Sequence, residues 1–188
     1  MERSFEAVLV EQCATTLAGV KPASLFRYQG ADKRQPREAA ARWAKELAPY
    51  GITIRVLKYC PQTGACLIYL YRAGWLRSIL SEPSTRAFLA GQGYGADQSC
   101  QELLRQLSRR LCLEREFPHE IGVFLGYPLE DVVGFIWNRG RNYTCCGYWK
   151  AYGDPEAAQK RFDQYRRCTA ACCEQFRKGT AITQLIAA

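Results

Sequence analysis

"ITIRVLKYCPQTGACLIYLY", residues 52–71, decides the fold. In its first half Ile52, Ile54 and Val56 alternate with Thr53 and Arg55, the period of a strand with one buried face. Residues 65–71 are apolar at nearly every position, as a central strand covered on both faces would be. The five residues between them, Cys60 to Gly64, suit a hairpin loop. The stretch therefore predicts two adjacent antiparallel strands.

Working outward, the period changes from two to between three and four. Residues 4–18 repeat Phe5, Val8, Leu9, Cys13 and Leu17 at helical spacing, with Gly19 as a stop. A short extended segment, "KPASLFRY", follows. An alanine-rich helix spans 36–48, with proline at its start. Beyond the hairpin, helices are predicted at 74–81, 84–90 and about 98–114, the last with a capping box from Ser99 and Glu102. Pro118 opens a two-turn helix ending near Leu125 with Gly126 as its left-handed stop, and Pro128 opens another. "NYTCCGYWKAY" (142–152) reads as a strand, and a long helix follows from about 155 to 178, capped by Asp154. The sum is a single α+β domain over 1–188: a small mixed or antiparallel sheet of about four strands, flanked by helices. A strict βαβ alternation is absent, which excludes a Rossmann arrangement.

Composition narrows the class. The 188 residues carry a net charge of +8, of which +6 falls in residues 1–94 and +2 in 95–188. The balance admits an anionic partner, yet no block of like charges marks a nucleic-acid site. The N-terminus mixes acids with apolar residues, unlike a signal peptide, and no apolar run reaches membrane length; a cytoplasmic protein away from the membrane is expected. In that compartment ten cysteines without a CxxC pair read as thiols, ligands or core residues.

Chemistry has few places to sit. His119 is the only histidine, and Glu120 follows it at the predicted helix start. The positive end of the helix dipole favours neutral imidazole, able to accept a proton or ligate a metal, with Glu120 as orienter or helix cap. His119 and Glu120 are thus the candidate catalytic pair. Glycines 122 and 126 leave that helix face bare, for close packing or for a flat ligand. In a strand, Cys145 and Cys146 face opposite ways, which places Cys146 on the face of Lys150 and Cys145 on that of Trp149. Lys21, Tyr127, Cys146 and Lys150 are the candidate cofactor contacts. On the last helix Phe162, Tyr165, Thr169, Cys172 and Phe176 form an apolar stripe, with Cys168 at its edge. Cys146, Cys168, Cys172 and His119 could complete a metal site, or the cysteines could simply pack. "GQGYG" (91–95) follows a helix rather than a strand and lacks GK[ST], so a phosphate cradle is a weak reading.

Three stretches, "CATTLAGVKPASLF" (13–26), "FPHEIGVFLGYPLEDVVGFIWNRGRNYTCCGYWKAYGDPEAA" (117–158) and "FDQYRRCTAACCEQF" (162–176), resemble the domain of unknown function 3793 family of anaerobic Firmicutes. Ala14-Thr15-Thr16-Leu17 stands where the family usually has Ala-Pro-Thr-Leu, and Tyr71-Arg72-Ala73 where it often has Tyr-Arg-Pro. The resemblance implies no known activity. It does suggest proximity to flavodoxins, and hence an accessory protein of anaerobic redox or metal metabolism with a flavodoxin-like partner. Metal, haem, iron–sulfur or flavin would each be consistent with that role. The residues also admit a non-catalytic module binding an anionic macromolecule or acidic protein, and a small-molecule enzyme using His119 and Glu120.

Overall fold

Strand β3 (Cys66–Arg72) lies between β1 (Ala23–Tyr28) and β2 (Ile52–Tyr59) in a computed structural model that describes residues 3–187. Both pairings are antiparallel. The central position explains why β3 is apolar throughout: Cys66, Ile68 and Leu70 are buried on one face, Tyr69 and Tyr71 on the other, with the tyrosine rings stacked at 5.0 Å. The alternation of β2 ends at Val56. Val56 pairs with Ile68 and Lys58 with Leu67, so Leu57 is an extra residue that bulges and turns inward.

The contacts gather the chain into two compact units. The first contains residues up to Gly74 together with those from Arg167 onward. Here α1 (Phe5–Leu17) and α2 (Gln35–Leu47) join the three-stranded sheet, the last turns of α8 (Pro155–Arg177) and a 3-10 turn at Ile182–Leu185 around one core. Leu9, Cys13, Leu17, Ile52, Ile68, Leu70 and Cys172 meet in it, each large aliphatic side chain stabilising by roughly 1.5–3 kcal/mol on burial. Ser4 caps α1 by accepting from the Ala7 amide at 3.2 Å. At the other end Gly19 takes φ +68°, and the Arg72 guanidinium donates to the carbonyls of Thr16, Leu17 and Ala187 at 2.9, 2.7 and 3.0 Å.

The second unit, Trp75–Arg166, holds most of α3 (Ala73–Ser81), then α4 (Pro83–Gly91), α5 (Cys100–Leu113), α6 (Ile121–Phe124), α7 (Leu129–Trp137), a hairpin of β4 (Cys145–Cys146) and β5 (Lys150–Ala151), and the start of α8. The capping box at Ser99 and Glu102 is present, and Asp154 accepts from the Glu156 and Ala157 amides.

Two expected elements differ. The helix after Pro118 is a single turn, because Gly126 at φ +75° reverses the chain and Tyr127 N bonds back to Gly122 O. The strand expected at 142–152 folds back on itself. Gly147 lets the chain turn directly over the Phe162 ring, where a Cβ would lie 2.4 Å from Cδ2. The result is α+β, with eight α-helices and two antiparallel sheets among the described residues. None of these helices is long and apolar enough to cross a membrane.

Candidate functional site

The second unit separates His119 from Glu120. Glu120 is buried; its carboxylate accepts from Tyr94 Oη at 2.9 Å and pairs with Arg110 Nη1 at 2.7 Å. It makes no side-chain cap to α6, contrary to the capping role expected of it. Burial and the Glu120 charge push the Tyr94 phenol well above its ordinary pKa. Tyr94 comes from "GQGYG" (91–95). The loop is pinned by α5, with Gln106 Nε2 donating to Gly93 O at 2.8 Å and Arg110 Nη1 to Gln92 O at 2.9 Å. Its glycines deliver a tyrosine to a buried carboxylate.

His119 is exposed and belongs to a different structure. Its ring lies 4.8 Å from Phe135 and 6.1 Å from Phe117. The space bared by Gly122 holds side chains: a Cβ there would meet Val132 at 2.8 Å and Tyr127 at 3.2 Å. Phe135 continues the surface to Lys150, whose ammonium lies 5.9 Å from the Phe135 centroid and 4.9 Å from that of Tyr143. Lys150 Nζ also donates to Gly140 O at 2.8 Å, which ties the hairpin to the turn after α7. Phe117, His119, Phe135, Lys150 and Tyr143 thus form a strip of rings with one cation, Lys150, between Phe135 and Tyr143.

On the outer side of α7, Val133 is 40% exposed and Trp137, one turn on, is 86% exposed. Arg139 and Arg141 follow, both exposed, with Arg139 at φ +50°. A tryptophan this open has given up most of the burial that usually justifies it. The helix beneath is firmly seated. Asp131 is buried and accepts from Trp149 Nε1 and Tyr152 N, both at 2.7 Å, and Gly153 N at 3.1 Å. Gly134 lets the Tyr152 ring lie against the helix, where a Cβ would meet it at 2.5 Å.

The remaining candidates are dispersed. Tyr127 is stacked on Trp149 at 5.0 Å, and burial pushes its phenol up to about 12. Cys146 and Lys150 do sit directly opposite in the hairpin, as the strand reading had them on one face, and Cys146 is exposed. The Lys150 ammonium, however, is taken up by Gly140 O and the Tyr143 ring. Lys21, a candidate cofactor contact, is buried in the first unit, where desolvation lowers its amine to about 8 and the Cys13 thiol is pushed up to about 12. Of the expected quartet, Cys168 and Cys172 belong to the first unit and Cys146 and His119 to the second. Among the described residues no three His, Cys, Asp or Glu side chains come together as metal ligands. None of the ten cysteines is in a disulfide. At the β2–β3 turn, hydrogen bonding from Thr63 holds the Cys60 thiol below its ordinary range, a feature that spacing did not reveal.

Trp137, Asp131 and Arg110 were not among the residues singled out. Asp131 carried a visible signal, an acid in the first turn of an apolar helix, but one that reads equally as complementing the dipole.

These features define a small α+β protein with an exposed tryptophan and two exposed arginines at the end of α7, in which His119 and Glu120 serve separate structures. The chain belongs to the family described as protein of unknown function DUF3793, whose model matches residues 9–186. No curated protein and no solved structure matches it.

Proposed function

We propose that this chain is a non-catalytic accessory protein that engages an acidic protein partner through the exposed side of α7 and the turn that follows it. The observation that carries the reading is Trp137, 86% exposed one turn from an exposed Val133 and followed by Arg139 and Arg141. Tryptophan and arginine are the residue types that dominate protein interfaces energetically. The aliphatic Val133 beside the indole favours an apolar protein surface over stacked bases, while the guanidiniums of Arg139 and Arg141 ask for carboxylates. A flavodoxin-like protein has this chemistry and suits the expected redox setting. His119 and Glu120 serve separate structures, which supports a binding role over acid–base catalysis.

Binding to an acidic flavodoxin-like protein, measured by calorimetry at rising salt, tests the reading. Affinity should fall with ionic strength. Trp137→Ala should weaken it by about thirtyfold, the size of a hot-spot loss, without changing stability. Binding that ignores both salt and Trp137 would refute the assignment.

A further inference from the structure

Helix α8 carries Cys168 and Cys172 one turn apart, spaced so that the two side chains share a face, with Cβ atoms about 5–6 Å apart. Cys172 is buried and Cys168 half-buried against the first unit's core. Cys168 Sγ also lies 3.8 Å from the carbonyl oxygen of Ala14 in α1. The pair faces the apolar side chains of the core, and among the described residues no third His, Cys, Asp or Glu joins it as a metal ligand.

We propose that Cys168 and Cys172 form a two-coordinate site for a soft monovalent cation, copper(I) being the biological representative. The ligand count selects the ion. Zinc takes four ligands, or three with a water, and two thiols cannot supply them. Thiolate sulfur selects copper(I) among the soft ions. Metal–thiolate bonds of about 2.3 Å, the zinc value taken as a guide, span the gap between two side chains one helical turn apart. Binding exchanges two thiol protons for one cation, leaving a bis-thiolate of single negative charge and releasing two protons. Burial holds the Cys168 thiol up at about 11, so uptake should strengthen as pH rises. Cys173 is the next residue round the helix and points away from the pair's shared direction. The site is independent of the binding face on α7.

The test uses the full, reduced chain under oxygen-free conditions, titrated with copper(I) held by a coloured chelator. The wild-type protein should withdraw one copper(I) per chain, with two sulfur neighbours in X-ray absorption. Cys168→Ala and Cys172→Ala should each weaken binding by more than the roughly 10–100-fold typical of losing an outer-shell partner. Cys112→Ala and Cys146→Ala, which alter exposed thiols, should leave it unchanged. Circular dichroism of the metal-free variants checks that they fold, and Cys168→Ser at the half-buried position provides a second variant. Failure to withdraw copper, three sulfur neighbours, or full binding in folded Cys168→Ala each overturns the proposal.

Discussion

Arg110 Nη1 lies 2.7 Å from Glu120 Oε1, a carboxylate only 2% exposed, and the pair closes over the Tyr94 hydroxyl. Removing one partner of such a pair leaves the other charge buried without compensation. Arg110→Met should therefore cost about 3 kcal/mol, near the low end for a buried pair because the arginine itself reaches solvent. Glu120→Gln keeps an acceptor for Tyr94 and should cost less, about 1–2 kcal/mol. Urea midpoints of the two variants, compared with wild type, give the order directly. Equal losses would mean that the charge itself is unimportant.

Asp131 holds the hairpin by three hydrogen bonds, so its loss should loosen that element first. Asp131→Ala orphans Trp149 Nε1 and the amides of Tyr152 and Gly153, a cost of about 3 kcal/mol. Hydrogen exchange should rise at residues 145–153 before it rises in the β1–β3–β2 sheet. Uniform acceleration across the chain would contradict this account.

Gly147 passes so close to Phe162 that the glycine and the ring are one packing unit. Gly147→Ala should destabilise by about 1–3 kcal/mol through overpacking. Combining it with Phe162→Leu should recover part of that loss, because neighbouring sites are not additive. Thermal unfolding of the two single variants and the double variant completes the cycle.

Lys21 and Cys13 predict opposing pH effects. Lys21 titrates near 8 when folded, against 10.5 as its ordinary value, so the unfolded chain holds more protons between these limits and this contribution to stability rises with pH. Cys13 titrates near 12 when folded, against 9.0, so from pH 9 upward the unfolded chain loses its proton first and this contribution falls. Stability should climb from pH 8 to 9 and then flatten. Cys13→Ala should extend the climb toward pH 10.5, and Lys21→Met should abolish it. Urea midpoints at pH 8, 9 and 10 separate the three proteins.

The first unit was largely legible because its signals are local and periodic. Ile52, Ile54 and Val56 announced a face and Gly19 a stop, as Ser99 with Glu102 announced a cap in the second unit. The sequence misled where one residue's role depends on a partner far along the chain. "NYTCCGYWKAY" has the composition of a strand, and only the Phe162 ring beneath Gly147 shows why it turns back. Glu120 resembled a cap because its carboxylate sits at a helix start, and nothing nearby in sequence announces Tyr94 or Arg110. Lys21 resembled a surface lysine for the same reason. Trp137 could not be told from a core residue, since an apolar helix of nine residues does not reveal which side stays open.

The bulge at Leu57 bears on how the chain avoids its own kind. In an ordered sheet of three, β1 and β2 are the outer strands, and a straight outer strand offers unpaired amides and carbonyls to any passing chain. Leu57 breaks the regular spacing of those groups on β2 and twists the strand, while exposed Lys58 places a charge where an incoming strand would lie. The irregularity that spoils the period of "ITIRVLKY" thus acts as a guard against edge-to-edge aggregation.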